Sequence, residues 1–153
     1  MKIGIIGAGA WGKNYLRTFP KVAQELSVPI ETIIGTRHNW KYLADFQLCD
    51  AFVIATPPDS HIEIAEYLLQ RNFPIMVEKP LALSHQEAAK LLPYSPAILV
   101  NHQHLFSNAF EYLNSHLQLS NILSIFSQGT GWGPFRDYSP IFDYGPHDVS
   151  FGL

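Results

Sequence analysis

Cysteine and charge are scarce in this sequence of 153 residues. The single cysteine, Cys49, excludes a disulfide framework and any metal site built from several thiolates. No apolar run approaches the roughly 18 residues that a membrane-spanning helix needs, and the apolar start of the chain is too short for a signal peptide. Ten basic against thirteen acidic residues give a net charge of −3, which argues against a general nucleic-acid binder. We therefore expect a cytoplasmic protein that binds neither membranes nor nucleic acids.

Apolar residues, by contrast, make up 47% of the chain, enough to bury a sizeable core. Short β-rich apolar runs alternate with longer amphipathic segments, which is typical of a parallel sheet covered by helices. This pattern predicts an α/β fold, a Rossmann-type doubly wound sheet, over residues 1–101. The helix after the first strand contains Pro20, where we expect a kink or a restart. Five runs are predicted strands: Lys2–Ile6, Pro29–Ile34, Ala51–Thr56, Pro74–Glu78 and Ala97–Asn101.

The character of the sequence changes after residue 101. A predicted helix near Asn108–Leu117 leads to a predicted strand, Ile122–Ser127, and then to a segment rich in glycine, proline and aromatic residues, Gly129–Phe135. Residues 102–153 are too few to form a core of their own. We therefore expect them to be the start of a second, α+β domain whose remainder is missing.

Glycines follow the first predicted strand in the pattern G-x-G-x-x-G, at Gly7, Gly9 and Gly12. The motif opens an amphipathic helix, the context in which it binds a dinucleotide. Gly7 permits a tight turn, Gly9 lets a pyrophosphate approach the backbone, and Gly12 lets helix and strand pack closely. The start of the helix, with Ala10 and Trp11, offers free N–H donors and a partial positive charge to phosphates. The sequence therefore predicts a dinucleotide site rather than a glycine turn without a ligand.

The end of the second strand selects between NAD and NADP in such sites. NAD-preferring sites place an Asp or Glu about 20 residues after the glycines, where it bonds the ribose 2′-hydroxyl. This chain has Thr36 and Arg37 there instead. Arg37 can pair with a 2′-phosphate through two parallel hydrogen bonds, and Thr36 can add a hydroxyl donor. The residues favour NADP over NAD; in the alternative, Arg37 is a solvated surface charge.

A predicted strand runs directly into Glu78-Lys79-Pro80. Because the carboxyl ends of strands in such sheets border the ligand crevice, Lys79 can hydrogen-bond a substrate hydroxyl or the cofactor ribose there. Glu78 can orient the lysine. An isolated Glu-Lys pair is more often a surface salt bridge, so the interpretation depends on the motifs around it.

Taken in order, those motifs resemble the family of glucose–fructose oxidoreductase, inositol dehydrogenase and related sugar oxidoreductases. Each motif is loose alone, but the ordered set is specific and touches nearly the whole chain. The segments Trp11–Asn14 and Phe142–Asp148 look nearest to members that oxidise nucleotide-sugar hydroxyls. The resemblance lies in five segments: Gly7–Gly12, Ala55–His61, Glu78–Ala82, Asn101–Phe106 and Asp143–Asp148.

The resemblance implies hydride transfer between a nicotinamide cofactor and a hydroxyl-bearing carbon of a sugar, nucleotide sugar or cyclitol. Lys79 matches the family's catalytic lysine and His147 its acid/base histidine, with Asp143 as the partner of His147. A histidine can take a hydroxyl proton near neutral pH, and a lysine can stabilise the developing alkoxide. The Lys79–Pro80 peptide is expected to be cis. Further cofactor-binding residues are implied at Thr56, Pro57, His61, Glu78 and Lys79.

Asp143 and His147 are four residues apart, so they share a face if the segment is one helix. Gly145-Pro146 is equally compatible with a turn followed by a helix. His102 and His104 alternate after a predicted strand, but no third ligand at a convincing spacing supports a metal site, and none is predicted.

The chain departs from this family in two places. About 15 residues follow Gly35 before the next strand, where a helix, a strand and a second helix would need about 30. We therefore expect that one strand is lost beside the adenine end of the cofactor site. The shortened second domain would leave an apolar face, which favours a homo-oligomer. Two alternatives stay open: a non-catalytic dinucleotide-binding module or regulator, and, less favoured, a methyltransferase that uses S-adenosylmethionine.

Overall fold

The computed structural model describes residues 1–116 and 137–151, together with residues 124, 126 and 128. The chain divides into two compact units, Met1–Asn101 and His102–Leu153.

The first unit is built on one parallel sheet with the strand order β2-β1-β3-β4-β5. The strands lie where the apolar runs predict them, with ends that differ by at most two residues. Their β-branched and other apolar side chains suit a sheet that is covered on both faces. The predicted parallel α/β fold is confirmed. The strands are β1 (Lys2–Ile6), β2 (Glu31–Gly35), β3 (Ala51–Ile54), β4 (Ile75–Glu78) and β5 (Ile98–Asn101).

Alternate residues of the strands bury the two faces of the sheet. On one face, Ile3, Ile5 and Val53 pack against the apolar stripe of helix α1 (Ala10–Leu26). On the other face, a larger cluster packs beneath α2 (His61–Leu69) and α3 (His85–Ala89). Its fully buried members in the sheet and in α2 include Phe52, Ile54, Leu68 and Val77.

Helix α1 runs without a break through Pro20, so the predicted restart is wrong. A proline inside a helix removes one backbone hydrogen bond and costs about 3 kcal/mol. The Pro20 side chain is exposed, so the ring does not disturb the core. Tyr15 and Phe19 on the same helix pack against the sheet and hold the helix together.

The connection between β2 and β3 contains only two short 3₁₀ turns, Trp40–Tyr42 and Ala44–Leu48. Trp40 and Phe46 from these turns are buried in the core. Within residues 1–101 the sheet ends at β2. A full dinucleotide-binding sheet has the order 3-2-1-4-5-6, so the order here is that of such a sheet without its third strand. The predicted loss of a strand is confirmed.

The second unit begins with a 3₁₀ turn at Gln103–Phe106. Most of the predicted strand Ile122–Ser127 and all of Gly129–Phe135 lie outside the described residues. None of the helices that the structure describes has the length and apolar character needed to cross a membrane. The described part of this unit contains the helices α4 (Asn108–His116), α5 (Pro140–Asp143) and α6 (Gly145–Phe151).

Candidate functional site

Two glycines shape the turn between β1 and α1. Gly7 has a φ of +125°, and a Cβ there would lie 2.3 Å from the carbonyl oxygen of Ala55. A Cβ on Gly12 would lie 1.8 Å from the carbonyl oxygen of Gly7. Because both obstacles are backbone atoms, only glycine lets α1 start directly against the carboxyl ends of β1 and β3.

Gly9, unlike Gly7 and Gly12, borders open space at the start of α1. A Cβ at Gly9 would meet no described atom within 4 Å, so the space in front of the start of α1 is open. The N–H groups of a helix's first turn have no partner inside the helix. The residues of this turn, Ala10, Trp11, Gly12 and Lys13, include no carboxylate that would offset the positive end of the helix dipole. The cradle therefore fits the pyrophosphate of a dinucleotide.

An exposed turn follows β2 and carries Thr36 and Arg37. The Thr36 N–H and hydroxyl donate to Asn39 Oδ1 at 2.7 and 2.9 Å. The Thr36 hydroxyl thus bonds within the turn, and its role as a donor to the cofactor stays a prediction. Arg37 Nη1 lies 3.3 Å from Asp59 Oδ2, with both side chains largely exposed. The sequence pattern gave no role to Asn39 or Asp59; an Asn after a strand end is a common turn former and was the available signal.

His61 is fully buried at the start of α2, with 0% of its surface exposed. Its two ring nitrogens lie 2.8 Å from the Thr56 carbonyl oxygen and 2.9 Å from that of Pro80. Burial lowers the pKa of His61, although both carbonyls and the carboxylates of Glu78 and Asp59 act in the opposite direction. The ring thus packs between the loop after β3 and the turn after β4. The contact between His61 and a cofactor stays a prediction.

The lowered pKa of His61 makes stability sensitive to acid. An unfolded histidine protonates near pH ~6.5, whereas the buried ring stays neutral to lower pH. The contribution of the neutral ring is therefore complete above pH ~6.5 and is lost as the pH falls toward the folded-state pKa. We expect the free energy of unfolding, measured with urea, to fall less on acidification in His61→Gln than in the wild type.

Exposed His85 provides the matched control. His85→Gln should keep the acid sensitivity of the wild type. Burial also lowers the pKa of His102, which accounts for part of the sensitivity that remains in His61→Gln. An equally steep loss of stability in His61→Gln and in the wild type would contradict the assignment.

The loop after β3 brings Thr56 and Pro57 next to the glycine turn. Thr56 is buried, and its hydroxyl oxygen lies 2.9 Å from Ser60 Oγ. Ser60 Oγ also lies 2.8 Å from the Pro57 carbonyl oxygen, so Ser60 closes this loop. Pro57 is exposed and remains available to a ligand.

The Glu78 carboxylate is buried at the end of β4. The Tyr15 hydroxyl donates to its Oε1 at 2.5 Å, and the Asn101 side-chain amide donates to the same oxygen at 2.8 Å. Burial, and then the carboxylate beside it, raises the pKa of Tyr15 far above its usual value, so Tyr15 stays a donor. Tyr15 and Asn101 carried no predicted role. The signal for Asn101 was its place at a strand end, and Tyr15 lies on the apolar stripe of α1.

Lys79 follows Glu78 and is half-buried. The Lys79–Pro80 peptide is cis, as the resemblance implies. The structure therefore gathers the glycine turn, Thr56 and the Glu78-Lys79 pair at the carboxyl edge of one sheet, where ligands of open α/β sheets bind.

The remaining predicted residues belong to the second unit. Asp143 is buried at the end of α5, and His147 lies in α6, so the segment is a turn followed by a helix. The rings of His147 and His104 pack edge to face, with 4.4 Å between their centroids. His102 and His104 alternate in the sequence, but that pattern does not predict the pairing of His104 with His147. Among the described residues, no group of three or more His, Cys, Asp or Glu side chains is placed to hold a metal ion.

Residues 1–95 match a protein family described as "Oxidoreductase family, NAD-binding Rossmann fold". A curated relative, the glycerol-3-phosphate dehydrogenase (NAD(P)+) of Maridesulfovibrio salexigens, is 27% identical over 105 residues. That match covers 65% of this chain and 31% of the relative.

Solved structures give the same fold. A protein from Magnetospirillum magnetotacticum MS-1, assigned as an oxidoreductase, is 30% identical with a TM-score of 0.69 over 99% of this chain and 55% of that one. The scyllo-inositol dehydrogenase of Lactobacillus casei, solved with NAD(H) and scyllo-inositol, is 19% identical (TM-score 0.57, 75% of this chain and 40% of that one). The UDP-N-acetylglucosamine 3-dehydrogenase GnnA of Acidithiobacillus ferrooxidans is 22% identical, with a TM-score of 0.55. That match covers 75% of this chain and 41% of the dehydrogenase. This chain thus spans about half or less of the length of these relatives.

Proposed function

Because the chain belongs to the Gfo/Idh/MocA oxidoreductase family, with its NAD-binding Rossmann fold, we propose that it binds a nicotinamide dinucleotide and catalyses hydride transfer with it. The substrate would be a hydroxyl-bearing carbon of a sugar, nucleotide sugar or cyclitol. The observation that carries this proposal is the cradle at Gly9, open in front of the helix start and adjacent to the loop after β3. The inositol and nucleotide-sugar dehydrogenases that share the fold support the substrate class.

Four parts of the predicted site have a task in this proposal. The first turn of α1 would hold the pyrophosphate of a nicotinamide dinucleotide, which would supply or accept hydride when bound. Lys79, at the carboxyl edge of the sheet, stabilises the substrate oxygen as it gains negative charge. In the second unit, which we propose is the start of a substrate domain, His147 holds the hydroxyl proton, and Asp143 supports the charged ring.

We propose NADP as the preferred cofactor, with Arg37 as the residue that selects it. The guanidinium has five donors, so it can bond a 2′-phosphate while it keeps its contact with Asp59. The Asp59 carboxylate nevertheless repels that phosphate, which limits the preference. Arg37 and Asp59 therefore act in opposite directions on the choice of cofactor.

Substitutions of Arg37 and Asp59 are expected to change the preference for NADPH over NADH in opposite directions. Arg37→Gln should weaken NADPH binding about tenfold and leave NADH binding nearly unchanged, because a charged hydrogen bond contributes about 1.5 kcal/mol or more. Asp59→Asn should strengthen NADPH binding and leave NADH binding unchanged. Fluorescence titration with both cofactors at low ionic strength measures the two effects. If Arg37→Gln weakened the binding of NADPH and NADH equally, Arg37 would not be the residue that selects the cofactor.

Thermal unfolding with NADPH, NADH or no ligand tests the proposed function directly. A ligand at 100 times its dissociation constant stabilises the folded state by about 2.7 kcal/mol, which raises the melting temperature by several degrees. Turnover is then screened with UDP-sugars, free sugars and inositols by the absorbance of the reduced nicotinamide. If neither cofactor raises the melting temperature, the proposal is wrong.

A further inference from the structure

Three polar side chains from separate elements meet at the carboxyl edge of the sheet. Tyr15 comes from α1, Glu78 from the end of β4 and Asn101 from the end of β5. Glu78 and Asn101 are direct partners in the β4–β5 register, so strand pairing itself places their side chains together. Tyr15 reaches them from the helix that starts at the glycine turn.

The three side chains bond one another directly. The Tyr15 hydroxyl donates its one hydrogen to Glu78 Oε1. The Asn101 side-chain amide donates to both Glu78 Oε1 and the Tyr15 oxygen, each at 2.8 Å. A closed set of this kind fixes the rotamers of all three side chains and satisfies a buried negative charge.

Both donors bond the same oxygen of the carboxylate. Within the described residues, Glu78 Oε2 receives no hydrogen bond. An ionised carboxylate is only an acceptor, so a ligand at Oε2 must bring an O–H or N–H group. A phosphate is excluded there, because it carries the same charge.

The strand order indicates which part of a dinucleotide this carboxylate faces. Arg37 follows β2, on one side of β1, whereas β4 lies two strands away from β1 on the other side. Neighbouring strands are about 4.8 Å apart, so β4 ends roughly 10 Å from β1. With the pyrophosphate on the glycine turn and the adenosine half toward β2, the half toward β4 is the nicotinamide half. Its donors are the ribose hydroxyls and the carboxamide N–H₂, and the ribose is the part joined directly to the pyrophosphate.

We propose that Tyr15 and Asn101 are positioning residues for the cofactor: they hold Glu78 Oε1 and so present Oε2 to a hydroxyl of the ribose on the nicotinamide side. This inference rests on the proposed function, because it requires a bound nicotinamide dinucleotide. The two residues act through Glu78 and touch neither the nicotinamide nor the substrate.

The test compares two probes, NADPH and 2′,5′-ADP, which lacks the nicotinamide half. Tyr15→Phe and Asn101→Leu are each expected to weaken NADPH binding about tenfold, the loss of about one charged hydrogen bond, and to leave 2′,5′-ADP binding unchanged. Tyr42→Phe, at a tyrosine that is 84% exposed, is the matched control and should change neither affinity. Melting temperatures without ligand show whether each variant is folded.

A double-mutant cycle separates positioning from a purely structural role. If Tyr15 acts through Glu78, Tyr15→Phe should have little further effect on NADPH affinity in the Glu78→Gln background. Additive losses overturn the inference, as does an equal loss of NADPH and 2′,5′-ADP binding. If Tyr15→Phe and Asn101→Leu both bind NADPH as tightly as the wild type, this inference is wrong, while the proposed function stands. A wild-type chain that binds neither probe overturns the proposed function, and the inference with it.

Discussion

Gly12→Ala is expected to destabilise the first unit by about 3 kcal/mol or more. The new Cβ would lie 1.8 Å from the Gly7 carbonyl oxygen, a backbone atom that cannot rotate away. Helix α1 would have to move off the end of β1, and its packing against Ile5 and Val53 would be lost with it. Urea denaturation measures the loss. Because folded domains are stable by only about 5–15 kcal/mol, a population of unfolded chain is also expected.

Gly9→Ala is the matched comparison within the same motif. Its Cβ would meet no described atom within 4 Å, so stability should change by about 1 kcal/mol or less, the difference between Gly and Ala at an N-cap. The methyl group nevertheless fills the space that a pyrophosphate needs. We expect at least about a tenfold loss of NADPH affinity by calorimetric titration, from a fully folded protein. Unchanged affinity would show that the phosphates do not lie at this cradle, and equal stability of Gly12→Ala and the wild type would contradict the packing argument.

The elements that the sequence predicts well are those with a local signal. Each strand is an apolar run in its own right, and the glycine turn depends on residues that are close in sequence. The lost strand followed from counting residues after Gly35. Pro20 shows the limit of local rules: the intrinsic cost of a proline is real, but the packing of Tyr15 and Phe19 on the sheet exceeds it.

The polar contacts of the site could not be predicted in this way, because they join residues that are far apart in sequence. Glu78 meets Asn101 only because β4 pairs with β5 in one register. Tyr15 lies 63 residues before Glu78 and reaches it only through the packing of α1. His61 shows the same limit in reverse: its motif indicates a place near the ligand, but its burial between two carbonyls depends on how the loops fold.

The catalytic proposal makes the second large prediction, at Lys79. Lys79→Met keeps the length and much of the volume of the side chain but removes its charge. If the ammonium group stabilises the developing alkoxide, kcat for the substrate identified in the screen should fall about 10²- to 10³-fold, as for the loss of one donor to a developing oxyanion. NADPH affinity should change much less than kcat, because in this proposal α1 and Arg37, and not Lys79, hold the phosphates of the cofactor.

Lys90, an exposed lysine that follows α3, provides the control. Lys90→Met removes the same charge from the same unit and should leave kcat unchanged. A loss of NADPH affinity in Lys79→Met as large as the loss in kcat would move Lys79 from catalysis to cofactor binding. Full turnover in Lys79→Met would exclude it from both roles. Since Glu78, directly before Lys79, is held by two donors, the Lys79 side chain can be changed while the end of β4 stays in place.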